Sequence, residues 1–416
     1  MKPIASMSSS RSAWLLVMLL APVALLNYLD RQMLATMKFS VMRDLADIHT
    51  EADWGRMLGQ FKWVYAFLSP VGGYLADHFS RRHVICGSLF VWSAVTWWTG
   101  QVQSFSELLM ARSLMGISEA FYLPAALALI TDHHLAATRS RAIGIHQMGI
   151  YTGVIIAGFS GYAADHPHLG WRWAFELCGL LGLLYTLPLL LWLREKTPKP
   201  TTPSKPSLSP WKTLCELFGN FSFILLVCHF TLPALAGWIV RDWIPAILKT
   251  EFHLGQDRAG VSATLYWQVA AIVGAIWGSW LADRWTLRND RGRIWVSILG
   301  VTLLIPALFG VGYAPQTGLL WVAISFLLLF GIGWGFFDCN NMPILSQIAR
   351  PEIRATGYGI MNFVSISAGG LADVAFGWMR DRQTPLFGIC SLFAIAALVS
   401  VLLALFIRPS QGTTER

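Results

Sequence analysis

The chain has 416 residues, of which 55% are hydrophobic and only 13% are charged, and it contains 20 Trp. This composition excludes an ordinary soluble domain and indicates a helical membrane protein with many spans. The formal net charge of +8 does not indicate nucleic-acid binding, because the basic residues cluster in the short connections between apolar runs.

Twelve apolar runs are long enough to cross a bilayer, which takes about 20 apolar residues. The first run follows Lys2 and Arg11 and is too long for the core of a signal peptide, so we expect it to be retained. Lys and Arg are more frequent in the connections that lie on the same side of the membrane as the N-terminus. Because positive residues are enriched on the cytoplasmic side, this bias predicts that both termini are cytoplasmic. We expect a bacterial inner (plasma) membrane. The runs cover approximately 13–37, 57–76, 84–102, 108–131, 142–164, 173–193, 214–248, 261–282, 294–313, 317–349, 355–379 and 385–407.

The chain divides in the middle, where a stretch rich in Pro, Ser, Thr and Lys predicts an extended cytoplasmic linker over 194–212. Six runs lie in 1–193 and six in 213–416. Two short motifs recur at equivalent runs: Gly-Tyr-Leu-Ala-Asp77 matches Gly-Ser-Trp-Leu-Ala-Asp283, and Arg141-Ala-Ile-Gly matches Arg354-Ala-Thr-Gly. The repeat predicts an all-α membrane protein of twelve transmembrane helices in two pseudo-symmetric six-helix bundles, a known transporter plan.

Four charged residues interrupt the first and fourth apolar runs. Asp30 and Arg31 lie in the first run, and Arg112 and Glu119 lie in the fourth. Charged groups at membrane depth are costly and usually face a bundle interior or a wet cavity. Arg112 and Glu119 are seven residues apart, close to two helical turns, so both project from one face. We therefore expect all four groups to meet on one surface, although a purely structural ion pair is the alternative.

Two motifs carry a resemblance to a known family. The stretch from Gly73 to Arg82 resembles the signature loop of the major facilitator superfamily. This resemblance implies that residues of the loop, and one equivalent residue in the second half, act in gating. His78 departs from the Arg commonly found in that loop, and a basic loop that only sets topology is the alternative. The implied gating residues are Gly73, Asp77, Arg81, Arg82 and, in the second half, Asp283.

The second motif is Asn27-Tyr-Leu-Asp30-Arg31 together with Arg112-x6-Glu119-Ala and a Pro at 124. It resembles the anion:cation symporter family of the superfamily, and spinster-like members share parts of it. The resemblance implies that Arg31 binds the substrate carboxylate. It also implies that Asp30 and Glu119 take part in proton coupling, with Arg112 paired to the first-run acid.

Polar side chains in other runs are weaker candidates for substrate contacts. Lys62 either supplies a second cation or reaches outward to water, and polar packing between helices is the alternative for several others. Asp338 is an intramembrane acid without a cation close in sequence, whereas Arg241-Asp242 is interpreted as a local pair at the outer end of the seventh run. The further candidates for substrate binding are Lys62, Tyr65, Tyr122, Gln147, Tyr151, Tyr266, Gln268, Asn341 and Asn362.

No phosphate-binding loop, nucleotide-binding domain or Cys/His metal set occurs in the sequence, so we expect neither an enzyme, nor an ATP-driven pump, nor a cofactor. The predicted activity is proton-coupled symport of a small organic anion, such as a sugar acid or monocarboxylate, by a monomer in the lipid bilayer. Three alternatives stay open: a spinster-like carrier of amphipathic lipids, a proton-driven exporter of hydrophobic compounds, and a non-transporting membrane sensor on the same fold.

Overall fold

The structure is a computed structural model that describes residues 5–134, 136–194, 210–350 and 353–409. The described residues form these helices: α1 (Ala5–Thr36), α2 (Lys38–Asp44), α3 (Glu51–His78), α4 (Arg81–Thr99), α5 (Phe105–Glu119), α6 (Tyr122–His133), α7 (Ala136–Gly158), α8 (Ser160–Asp165), α9 (Gly170–Trp192), α10 (Pro210–Gly219), α11 (Phe221–Glu251), α12 (Gln256–Thr286), α13 (Gly292–Thr317), α14 (Leu320–Asp338), α15 (Asn341–Ile348), α16 (Arg354–Asp381) and α17 (Leu386–Ala404).

Short helices α2, α6, α8 and α15 each continue a longer helix, and α10 precedes α11, so the described helices form twelve long segments. Ten of these segments are long and apolar enough to cross a membrane. The other two, α3 and α4, have spanning lengths of 28 and 19 residues but begin with charged turns. The predicted all-helical architecture of twelve spans is confirmed.

The chain falls into two compact units. Unit 1 comprises Met1–His49, Met57–Pro200 and Leu254–Thr264, and unit 2 comprises Thr50–Arg56, Thr201–His253 and Leu265–Arg416. Most of the predicted linker, 194–212, lies outside the described residues. Each unit is therefore close to one half of the sequence, except that the first turn of α3 belongs to unit 2 and the first turns of α12 belong to unit 1.

Equivalent helices pack together in the two units. In unit 1, α1 packs on α7, and α4 packs on α9 and α5. In unit 2, α11 packs on α16, and α13 packs on α17 and α14. These are the same positions in the order of six helices, so the sequence repeat corresponds to a repeated packing scheme. Each unit has its own apolar core, with Trp92 and Leu20 buried in unit 1 and Phe223 and Phe337 buried in unit 2.

A carboxylate caps the first turn of α3 and another caps the first turn of α12. In unit 2, Asp381 accepts hydrogen bonds from the main-chain N–H groups of Glu51 (2.8 Å) and Ala52 (2.9 Å). In unit 1, Asp165 accepts from the N–H of Gln256 at 2.9 Å. The first N–H groups of a helix have no partner within the helix and attract negative charge, so both caps stabilise the start of a long helix. Each cap joins the helix start to the unit that supplies the carboxylate.

The cap at α3 predicts a loss of stability when its carboxylate is removed. Asp381→Ala leaves two N–H groups without an acceptor, and the loss of a helix cap costs about 0.5–2 kcal/mol. We expect a lower midpoint of thermal unfolding for the purified protein in detergent. Asp47→Ala, at an exposed position after α2, is the matched control and should leave the midpoint unchanged. Equal midpoints for Asp381→Ala and wild type would contradict the capping role.

Candidate functional site

A proline breaks the fourth long segment beside an acidic residue. Helix α5 ends at Glu119, α6 begins at Tyr122, and Pro124 lies in the first turn of α6. A proline ring clashes with the carbonyl four residues earlier, here that of Ala120, and this clash disfavours a continuous helix. The break therefore leaves Glu119 as the last helical residue of α5, at a point inside the apolar segment.

Glu119 forms an ion pair with Arg31 of α1. The Nε–H of Arg31 donates to one carboxylate oxygen of Glu119, and the two side chains are 88 positions apart in the sequence. Glu119 is fully buried, whereas the Arg31 side chain retains 16% of its exposure. A buried charge without a partner costs several kcal/mol, so each of these groups stabilises the charged form of the other.

Three aromatic rings surround the Arg31 guanidinium. Its Cζ atom lies 4.9 Å from the ring centre of Tyr28, 4.8 Å from that of Phe61 and 4.8 Å from that of Tyr65. Tyr28 is on α1, and the other two rings come from neighbouring turns of α3. Ring faces attract cations, and the attraction grows when water is excluded. The three rings therefore help to hold the Arg31 guanidinium in place.

Asp30 and Arg112 complete the cluster that the sequence predicts. The Thr96 hydroxyl of α4 donates to Oδ2 of Asp30 at 3.0 Å. The other oxygen of Asp30, Oδ1, is buried and accepts no hydrogen bond within the described part of the chain. Arg112 lies with its Cζ 4.5 Å from the Phe61 ring centre, and it interacts electrostatically with Asp30.

The cluster thus contains two acids and two guanidinium groups within unit 1. Asp30 lies in the field of Glu119, Arg31 and Arg112 together. The structure brings together all four groups, as predicted, and Arg31 and Glu119 are in direct contact. With both acids ionised, the four charges sum to zero.

The other sequence candidates of unit 1 lie in different surroundings. Lys62 is buried, so its side chain does not reach outward to water. Tyr122 lies in the apolar core, where its hydroxyl is 2.8 Å from Nε2 of His146. Tyr151 packs against the same core, and Gln147 is partly buried on α7. For these four residues, substrate binding stays a prediction.

Four candidates belong to unit 2. Gln268 and Asn341 are buried, Asn362 is partly buried, and Tyr266 is exposed. Their role as substrate ligands also stays a prediction.

Sequence reasoning missed two contacts of the cluster. Thr96 is a single hydroxyl in an apolar helix, and no pattern in the sequence indicates that it faces Asp30. Phe61 lies under both guanidinium groups, although an aromatic residue in a transmembrane helix usually indicates packing. Its spacing of four residues from Tyr65 places both rings on one face of α3, which is the only signal that the sequence offers.

Comparison with known proteins identifies the family. Residues 20–372 match the Major Facilitator Superfamily. The chain belongs to this superfamily. It is 32% identical to protein spinster homolog 1 of Homo sapiens over 406 residues, and this match covers 91% of this chain and 75% of the human protein. It is 26% identical to an MFS-type efflux pump of Mycolicibacterium smegmatis, over 92% of this chain and 88% of that protein.

Solved structures of the superfamily share the fold. The crystal structure of a bacterial homologue of the human lysosomal transporter spinster has a TM-score of 0.76 at 21% identity, covering 95% of each chain. The D-xylose–proton symporter has a TM-score of 0.77 at 16% identity, covering 96% of this chain and 98% of that one. The chain is therefore an integral, multi-pass membrane protein of a transporter superfamily, not an enzyme. Of the two resemblances drawn from its motifs, these relatives support the spinster-like one.

The superfamily signature loop is only partly described. Gly73 and Asp77 belong to α3, but the Asp77 side chain is not among the described parts of the chain. Arg81 pairs with Asp132 of α6, and Arg82 donates to the main-chain oxygen of Leu190, both within unit 1. In unit 2, Asp283 accepts from Arg293 at 2.8 Å. A gating role for these five residues stays a prediction.

The position of Phe61 under two guanidinium groups leads to a test. Phe61→Leu keeps an apolar side chain but removes the ring face from both Arg31 and Arg112, and each cation–π contact contributes about 0.5–2 kcal/mol. We expect a larger fall in the midpoint of thermal unfolding than for Phe393→Leu, an equally buried phenylalanine of α17. Equal losses for the two variants would mean that Phe61 acts through packing alone.

Proposed function

We propose that this protein is a proton-coupled symporter of a small organic anion, such as a sugar acid or monocarboxylate, and that it works by alternating access. The observation that carries the proposal is the Arg31–Glu119 pair, a guanidinium whose counter-charge is a buried carboxylate. Glu119 is a side chain that a proton can neutralise, and a substrate carboxylate is a group that can take its place at Arg31.

Charge balance explains why the proton and the anion move together. The four groups sum to zero when both acids are ionised. Binding of a proton alone gives the buried cluster a net positive charge, and binding of an anion alone gives it a net negative charge; either costs several kcal/mol. Binding of both restores neutrality. Each ligand therefore favours the binding of the other, which is the thermodynamic requirement for coupling.

Glu119 and Arg31 have separate roles in the proposed cycle. A proton on Glu119 weakens the ion pair and releases the guanidinium group of Arg31. The planar guanidinium then binds a carboxylate through two parallel N–H···O bonds, an arrangement that a lysine cannot reproduce. Asp30, with one oxygen free of donors within the described chain, is the second acid that can hold a proton. Cytoplasmic termini and a bacterial inner membrane remain part of this proposal.

A second candidate is a spinster-like carrier of amphipathic molecules, which the similarity to human protein spinster homolog 1 favours. In that case the same cluster would hold an anionic head group, and the aromatic rings near Arg31 would contact adjoining apolar atoms. Competition between acids in a binding assay separates the candidates. A small acid that is displaced by other small acids but not by a lysophospholipid supports the symporter of small anions.

The role of Arg31 as the substrate anchor is tested by replacing its guanidinium group. Arg31→Lys keeps the charge but loses bidentate binding, and the loss of a charged hydrogen bond costs about 1.5–3 kcal/mol, which corresponds to about a 10- to 150-fold lower affinity. Affinity for a panel of organic acids is measured by titration calorimetry on the purified protein. Arg56→Ala, at an exposed position of α3, is the control and should bind as wild type does. An acid that binds equally well to Arg31→Lys, Arg31→Ala and wild type would exclude Arg31 as the anchor.

Coupling is tested by fixing the acids in a neutral form. Glu119→Gln and Asp30→Asn imitate protonated acids, so we expect proteoliposomes to exchange substrate across the membrane but not to accumulate it under a pH gradient. Glu107→Gln, at the other end of α5, is the matched control and should accumulate normally. If both cluster variants accumulate substrate as well as wild type, the proton does not bind at these acids.

A further inference from the structure

A cavity of about 750 Å³ lies in unit 2, between the end of α12 and the start of α13. Three arginine side chains line it: Arg284 in the last turn of α12, Arg288 in the loop that follows, and Arg293 in the first turn of α13. Among the described residues that line this cavity, Asp283 is the only acid. Three positive charges and one negative charge give the wall a net charge of +2, so the cavity suits an anion.

The acid of the cavity is already paired, whereas two of the arginines are not. Oδ1 of Asp283 accepts a hydrogen bond from the Arg293 guanidinium at 2.8 Å. Asp290, in the same loop as Arg288, is exposed and does not line the cavity. Neither Arg284 nor Arg288 forms an ion pair with a carboxylate in the part of the chain that the structure describes. Two guanidinium groups at the cavity therefore carry charges that no described side chain balances.

An exposed apolar stripe on α12 leads to the cavity. The other face of this helix packs on α14, where a side chain at Gly274 would collide with the carbonyl oxygen of Ile332. The ring centre of Trp280, which lines the cavity, lies 5.5 Å from Cζ of Arg284. Residues three and four apart lie on one face of a helix, so the stripe and the arginines form one continuous surface. The exposed large side chains of the apolar stripe are Val273, Ile276, Trp277 and Trp280.

We propose that this surface binds an anionic phospholipid, whose phosphate group contacts Arg284 and Arg288 and whose acyl chains lie along the apolar stripe. A guanidinium group binds phosphate through two parallel N–H···O bonds. Basic pockets at the ends of transmembrane helices bind the head groups of anionic lipids. The site belongs wholly to unit 2 and uses no residue of the unit 1 cluster, so it does not rest on the proposed function.

The length of the stripe fits a lipid. From Val273 to Arg284 the helix advances about 16 Å along its axis. The hydrocarbon part of one leaflet is about 15 Å thick, half of the apolar core of a bilayer. A phosphate at Arg284 therefore places the end of an acyl chain near Val273. Tryptophan side chains are enriched at the boundary between head groups and acyl chains, and Trp280 lies at that boundary in this arrangement.

Two simpler explanations of the arginines lead to different expectations. Basic loops fix the orientation of a membrane protein by charge alone, and for that role lysine serves as well as arginine. A site for free phosphate needs no apolar surface beside it, whereas this cavity continues into the exposed stripe of α12. A phospholipid uses the guanidinium groups and the apolar side chains together, so it accounts for both features of the surface.

The experiment measures the binding of two lipids to the purified protein in detergent by native mass spectrometry. Dioleoylphosphatidylglycerol is anionic, whereas dioleoylphosphatidylcholine has the same acyl chains and no net charge. We expect wild type to bind the anionic lipid about tenfold more tightly. The double variant Arg284→Gln/Arg288→Gln should bind both lipids equally. The double variant Arg284→Lys/Arg288→Lys keeps the charges but not the paired hydrogen bonds, and it should lose part of the preference. Inorganic phosphate at millimolar concentration should not displace the anionic lipid.

Two controls locate the bound lipid. Arg382→Gln is the matched control, because Arg382 is an exposed arginine of unit 2 whose Cζ lies 3.7 Å from the Trp378 ring centre and which does not line the cavity. It should keep the wild-type preference. Arg31→Ala should also keep it, because the unit 1 cluster takes no part in this site. Failure of the proposed function would appear separately, in the titrations with organic acids.

Several results would overturn the lipid site. Equal binding of the two lipids to wild type would show that the surface does not select anionic lipid. A preference that survives unchanged in the lysine variant would show an effect of charge alone, and this variant decides the matter if the glutamine variant does not elute as monodisperse protein. Displacement by inorganic phosphate would indicate a site for free anions. Loss of the preference in Arg31→Ala would place the lipid at the unit 1 cluster.

Discussion

A guanidinium in apolar surroundings needs a counter-charge, and unit 1 is arranged around that need. Arg31 cannot lose its proton at any accessible pH, so its charge must be balanced by another group. Glu119 supplies that balance from a different helix, and three aromatic rings fix the guanidinium from other sides. Since Glu119 can be neutralised and Arg31 cannot, the pair can change state at one partner only. The proposed coupling between a proton and an anion depends on this asymmetry.

The helix breaks connect this electrostatic arrangement to the backbone. An unbroken helix would continue its hydrogen bonds past Glu119, whereas the proline at 124 interrupts them. Broken transmembrane helices often form the sites of transporters, because the released groups can contact ligands. Asp338 and Pro343 reproduce the arrangement in unit 2, so the break belongs to the repeat rather than to one helix.

Much of the candidate site could be predicted from the sequence, because charged residues inside apolar runs are costly and therefore indicate a site. Charges inside apolar runs indicated Asp30, Arg31, Arg112 and Glu119, and helical periodicity placed the last two on one face. The direct pairing of Arg31 with Glu119 could not be derived, because it depends on the relative rotation of α1 and α5. The contact of Thr96 with Asp30 depends on a helix that is distant in sequence. The caps that Asp381 and Asp165 form on the first turns of α3 and α12 could not be derived either, because both residues look like ordinary loop acids in the sequence.

The two units therefore differ in what their charged groups can do. In unit 1 the acid is buried and paired, and a change in its protonation alters the charge of the whole cluster. In unit 2 the last helical residue before the corresponding break, Asp338, is exposed, whereas Glu119 is fully buried. The break is therefore common to the two units, but its acid lies in different surroundings in each. In the proposed function, a substitution of either acid of the unit 1 cluster affects proton binding and anion binding together, because the four charges are balanced as a set.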